Sequence, residues 1–190
     1  MVISVTRMFR TSRFRAVRPL CAFALLLAGF APAHGAEAGS LYLDGGWRGA
    51  FLDQAHRLGT GASLALAYGA NESAELELRL NYDFLPVRPD MENSHAIEIK
   101  AGELTAYFAP YRGDFRPMVG AHAGLAWMEG RGNALYWNLG MDAMALYDFQ
   151  DLVQVYGSLT PSMLLGSGSG DMAGELWLRL GLGVRMRLGH

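Results

Sequence analysis

From Ala74 to Phe84 the chain reads AELELRLNYDF, an unbroken alternation of apolar and polar side chains. Ala74, Leu76, Leu78, Leu80, Tyr82 and Phe84 fall on one side. Glu75, Glu77, Arg79, Asn81 and Asp83 fall on the other. Successive side chains of an extended strand point to opposite faces, so a period of two predicts a strand with two unlike faces. Glu175 to Leu188 repeats the pattern. Leu176, Leu178, Leu180, Leu182, Val184, Met186 and Leu188 alternate there with Glu175, Trp177, Arg179, Gly181, Gly183, Arg185 and Arg187.

The same split runs, less cleanly, through Leu41 to Phe51, Gly61 to Tyr68, His95 to Phe108, Phe115 to Met128, Ala134 to Tyr147 and Leu152 to Leu165. No stretch between them has helical periodicity. Two places disturb the alternation. Ile97 and Ile99 oppose Glu98 and Lys100, whereas Leu104, Ala106 and Phe108 have the other parity. A bulge at Gly102 is expected, which sets Glu98 and Lys100 on the polar face. Pro161 has no N–H for a ladder, so a bulge or an early strand end is expected there.

The pattern therefore predicts eight strands. The connections after the second, fourth and sixth are tight: Gly69 to Asn71, Tyr111 to Asp114 and Asp148 to Asp151. Those after the first, third, fifth and seventh are polar and mostly longer: Asp53 to Thr60, Pro86 to Ser94, Glu129 to Asn133 and Gly166 to Asp171. Short turns at one end and longer loops at the other are the habit of a transmembrane barrel, and tilted strands of about nine to eleven residues cross a bilayer.

The first residues carry a different message. Arg7, Arg10, Arg13, Arg15 and Arg18 precede the apolar run Leu20 to Phe30, which is too short for a permanent transmembrane helix. Residues 1–36 are expected to be a signal peptide, cut after Ala33 or Ala36, and residues 37–190 a single barrel domain. Cys21, the one cysteine, lies in that segment, so the exported chain has no thiol for disulfide, nucleophile or thiolate–metal chemistry. Export removes five basic residues and no acid. Eleven basic against eighteen acidic residues leaves a net charge of −7, which argues against nucleic acid as a partner.

Alternation alone also suits a soluble, lipocalin-like barrel with its apolar face inside. The polar face decides against that: it is Gly, Tyr, Ser, Thr, Asn and Gln with charges of both signs, and Lys100 is the chain's only lysine. Aromatics decide the same way. Phe51, Tyr82, Phe84, Trp127 and Trp137 lie on the apolar face toward the longer loops, and Tyr68, Phe108, Tyr147 and Phe149 lie toward the short turns. Two belts of rings are the interfacial girdles of a membrane barrel. The expected fold is an all-β, eight-stranded, antiparallel up-and-down transmembrane β-barrel.

In pattern and topology the chain resembles the small eight-stranded outer-membrane barrels of the OmpA transmembrane-domain and OmpX kind, over nearly all of residues 37–190. The resemblance implies a monomer in the outer membrane, in contact with its lipid and lipopolysaccharide and inserted by the barrel-assembly machinery. Such proteins typically end on an aromatic residue, whereas His190 fills that slot here.

Charges on the expected inner face fall at matching heights. Asp44, Glu75, Glu77, Arg185 and Arg187 lie toward the short turns. Arg48, Asp83, Glu98 and Lys100 lie higher, and Arg79, Asp142 and Arg179 complete the set. An eight-stranded lumen lets such side chains meet, and stranding one costs about 3–5 kcal/mol, so a structural ion-pair network is expected. No catalytic residue, cofactor or metal is assigned. His122-Ala123-Gly124 lacks a serine two residues on, and nothing fixes His56 and His95, near Asp53 and Asp90, in a metal-binding geometry. Gly166 to Asp171 lacks the Lys and the helix of a phosphate-cradling loop. A non-catalytic structural or surface role is expected; the alternatives are an enzyme acting on lipid A, and a narrow channel.

Overall fold

The computed structural model describes residues 38–53, 55–87, 95–110, 113–130, 134–150, 152–168 and 171–189. The expected signal segment, Asp90, Ser94 and His190 lie outside these residues. The elements are β1 (Leu41–Leu52), β2 (Arg57–Asn71), β3 (Ala74–Leu85), β4 (Ile97–Phe108), β5 (Phe115–Glu129), β6 (Ala134–Gln150), β7 (Val153–Gly168) and β8 (Asp171–Gly189). Each pairs antiparallel with its neighbours in chain order, and β8 pairs with β1, so the sheet closes into a barrel without an edge.

Several strands outrun their expected ends. β2 begins at Arg57 and β8 at Asp171, which shortens two of the loops. Gly59 falls in the expected loop and Gly61 at the expected start of the second strand. A side chain at either would collide with the β3 backbone, and one at Gly61 also with the Asp83 carboxylate, so glycine there permits close strand approach.

The expected bulge at Gly102 is absent. β4 keeps one register with β3 and with β5 throughout. Unbroken alternation turns Ile97 and Ile99 inward, where both are fully buried, and turns Glu98 and Lys100 outward. Those two charges are therefore not luminal. Pro161 does not bulge or end its strand either. It pairs with Leu178 of β8, while the β6 ladder lapses opposite Thr160 and Pro161 and resumes in the same register. A missing N–H deletes a rung without shifting the strand.

The outer wall is apolar. Leu58, Leu64, Leu80, Leu104, Leu135, Leu180 and Leu182 are all more than half exposed. All nine girdle aromatics named above lie on this wall, with Phe51 half-buried and the others exposed. Among the described strand residues the wall's only charged side chains are Glu98, Lys100 and Glu129. They sit together at the long-loop end: Lys100 Nζ is 2.8 Å from Glu129 and 3.6 Å from Glu98. Trp127 Nε1 donates to Glu129 at 3.1 Å.

Candidate functional site: the lumen

The interior is layered. Toward the longer loops an apolar layer holds Leu52, Leu85, Ile97, Ile99, Met128, Leu164 and Trp177. Toward the short turns a second holds Tyr107, Ala109, Met118, Met144, Leu146 and Tyr156. Between and beside them lie buried charges.

Arg185 anchors the lower part. Its Nε and Nη2 grip both Asp44 oxygens at 2.7 Å, Nη1 donates to Glu75 at 2.6 Å, and Nη2 donates to Glu77 at 3.1 Å. A planar guanidinium with five donors suits three carboxylates at once, which an ammonium would not. Glu77 pairs also with Arg79, which reaches Asp142 at 3.0 Å and the Tyr107 hydroxyl at 2.6 Å.

From Asp142 the chain of bonds climbs. Thr160 Oγ1 donates to Oδ1 at 2.8 Å, and His122 Nδ1 meets Oδ2 at 2.5 Å. His122 Nε2 lies 3.0 Å from Ser162 Oγ, which accepts from Arg179 Nη2 at 2.9 Å. Arg179 pairs with Glu103 at 2.5 Å, and Glu103 accepts from Asn138 at 2.6 Å. One continuous polar chain thus joins Asp44 on β1 to Asn138 on β6, through side chains of β3, β4, β5, β7 and β8.

Of the residues expected inside, Asp44, Glu75, Glu77, Arg79, Asp142, Arg179 and Arg185 belong to this chain. Arg48 and Asp83 are buried but make no ion pair among the described residues, and Arg187 is half-buried with its guanidinium 6.0 Å from the Tyr42 ring. Glu98 and Lys100 lie outside the barrel. Tyr107, Glu103, His122, Asn138, Thr160 and Ser162 are the members outside the expected ion-pair set. Strict alternation counted back from Phe108 places Glu103 inside, and that count is the signal that finds it.

Ser162, His122 and Asp142 stand in the order of a nucleophile, a base and its orienting carboxylate. Their surroundings oppose hydrolysis. All three are buried, the serine oxygen is engaged by Arg179, Asp142 is shared with Arg79 and Thr160, and apolar layers lie above and below. Among the described residues no group of three or more His, Cys, Asp or Glu could hold a metal ion.

No protein-family model matches the sequence, and no curated protein is similar to it. Solved structures are similar in fold. Neisserial surface protein A (NspA) superposes with a TM-score of 0.58 at 13% identity, covering 78% of this chain and 96% of that one. The outer membrane protein OprG from Pseudomonas aeruginosa gives 0.56 at 14%, covering 82% and 99%. A closed, eight-stranded antiparallel barrel with an apolar wall and an ionic lumen is the fold of the small outer-membrane β-barrels, and this chain has that fold.

Proposed function

We propose that this chain is a monomeric, non-catalytic barrel of the outer membrane. It is exported by cleavage of residues 1–36, placed by the barrel-assembly machinery, and has a structural or surface-interaction role among outer-membrane lipid and lipopolysaccharide. One observation carries the reading: the barrel is inverted, with leucine and aromatic rings outward and a connected ion-pair chain within. Exposing that wall to water would cost about 25 cal/mol per Å² of apolar surface, whereas acyl chains accept it without cost. NspA, which shares the fold, is by name a surface protein, and that supports a surface role.

The luminal network serves as a structural plug. Its charges are mutually paired and buried, and an apolar layer lies toward the longer loops, which disfavours a channel. The test is a heat-modifiable gel shift on detergent-extracted outer membranes, followed by planar-bilayer conductance. A protein that is water-soluble without detergent, or that conducts steadily, defeats the reading.

A second reading, an acyl hydrolase acting on lipid A, is favoured only by the Ser162–His122–Asp142 geometry. Mass spectrometry of lipid A from cells with and without the protein separates the two.

A further inference from the structure

The outer wall carries charge in one sector only. Among the described strand residues its charged side chains, Glu98, Lys100 and Glu129, all stand on β4 and β5 at the long-loop end. Register sets them in two rows across three strands. Tyr82, Lys100 and Trp127 are successive cross-strand partners, and so are Phe84, Glu98 and Glu129. Lys100 is thus flanked by two aromatic residues, and Tyr82 hydrogen-bonds Glu98 as Trp127 does Glu129. The strands of Tyr82 and Trp127 lie two spacings apart, about 10 Å.

Fixing the depth of the barrel does not require such a cluster. At the short-turn end Tyr68, Phe108, Tyr147 and Phe149 hold the interface with no charged side chain beside them on the described wall. The cluster also keeps bonding capacity. Lys100 and Trp127 both donate to Oε1 of Glu129, which leaves the other oxygen open among the described residues. Lys100 stands 3.6 Å from Glu98, beyond a hydrogen bond, so its ammonium retains N–H groups to give. Both aromatic rings are about two-fifths exposed.

An ammonium and carboxylates set between flat rings suit a sugar. Its hydroxyls both donate and accept, and its C–H edges pack on the negative face of an aromatic ring. Two carboxylates against one ammonium leave the sector at −1, which opposes a phosphate. Two residues deeper on β4 the wall is recessed at Gly102, where a Cβ would meet only Leu80, at 3.8 Å. An acyl chain below a sugar headgroup fits that recess. The geometry points to a lipopolysaccharide-binding sector on β3–β5 that holds the sugar rings of the headgroup rather than their phosphates. This deepens the proposed outer-membrane role and rests on it, since longer loops outward bring the sector to the leaflet that contains lipopolysaccharide.

Native mass spectrometry of the folded barrel in detergent tests it, with purified lipid A as the probe, intact or dephosphorylated. Both forms are expected to bind with the same affinity. Trp127→Leu and Tyr82→Leu are each expected to weaken binding by about two- to tenfold, the range an aromatic contact contributes. Trp137→Leu is the control, an exposed girdle ring whose cross-strand partners are Leu125 and Leu165, and it is expected to change nothing. Binding that falls when phosphate is removed overturns the inference. So does binding that ignores both sector variants or that falls equally in the control. A barrel that keeps its heat-modifiable shift but binds no lipid A defeats the inference and leaves the membrane reading standing; one without the shift defeats both.

Discussion

His122 bonds Ser162 across an entire strand, because the residue between them in the β5–β6–β7 register is Gly140. A Cβ at Gly140 would stand 2.6 and 2.8 Å from the imidazole Cε1 and Nε2 and would collide with the Pro161 carbonyl. Gly140→Ala is therefore expected to push the ring off Ser162 and destabilise the barrel by about 1–3 kcal/mol, the usual cost of overpacking. Gly157→Ala is the control, since its Cβ would meet Leu182 Cδ2 at an ordinary 3.7 Å. Urea unfolding in micelles compares them. Equal midpoints would show that the imidazole does not depend on the gap.

Arg185 faces three carboxylates. Replacing it with leucine leaves Asp44, Glu75 and Glu77 buried against one another without their common cation. The expected loss is about 3–5 kcal/mol or failure to fold, as for any buried pair broken from one side. Arg187→Leu, at the half-buried rim, is expected to cost less than about 1 kcal/mol. The temperature at which the folded gel band disappears ranks the two. If the double variant Arg185→Leu/Arg187→Leu melts like the unaltered protein, the plug is not structural.

Lys100 separates inside from outside. On the outer wall its pairs with Glu129 and Glu98 are about half exposed, so Lys100→Met is expected to leave stability nearly unchanged. A luminal Lys100 would instead cost several kcal/mol to remove, with Glu98 left stranded. Comparing its urea midpoint with that of Arg185→Leu distinguishes the two placements. A large loss for Lys100→Met would restore the bulge at Gly102.

Strand number, order and facing are legible in the sequence because closure makes one rule hold everywhere: each strand has a lipid side and a luminal side. Glu75 to Asp83 and Glu175 to Arg187 obey it without exception, and their charges lie inside. Alternation misleads where an apolar residue faces in. Ile97 and Ile99 are greasy but luminal, because the upper lumen is closed by an apolar layer rather than by charge. Polarity alone then assigns the wrong side to Glu98 and Lys100, and an invented bulge is needed to repair the phase. Composition overstates loop length for a related reason. Gly59 signals a turn by composition, yet in a tightly packed barrel it marks, with Gly61, a close approach of strands. The His122–Ser162 contact is not legible at all, since it depends on the register of three strands and on what Gly140 lacks.

The same contact decides between plug and enzyme. Ser162→Ala removes a hydroxyl that bonds His122 and Arg179, leaving two buried donors or acceptors short by one partner each. The expected cost is about 1–3 kcal/mol of stability, with lipid A unchanged in mass. Asp142→Ala is expected to cost more, because Arg79, Thr160 and His122 all bond its carboxylate and Arg79 keeps its charge in the lumen. A hydrolase would behave differently: both variants would abolish deacylation alike, since serine and carboxylate act as one unit, whatever their separate effects on folding. Measuring unfolding midpoints and lipid A mass spectra on the same two strains therefore separates the two roles. A shift in lipid A that vanishes equally in both variants would overturn the structural assignment.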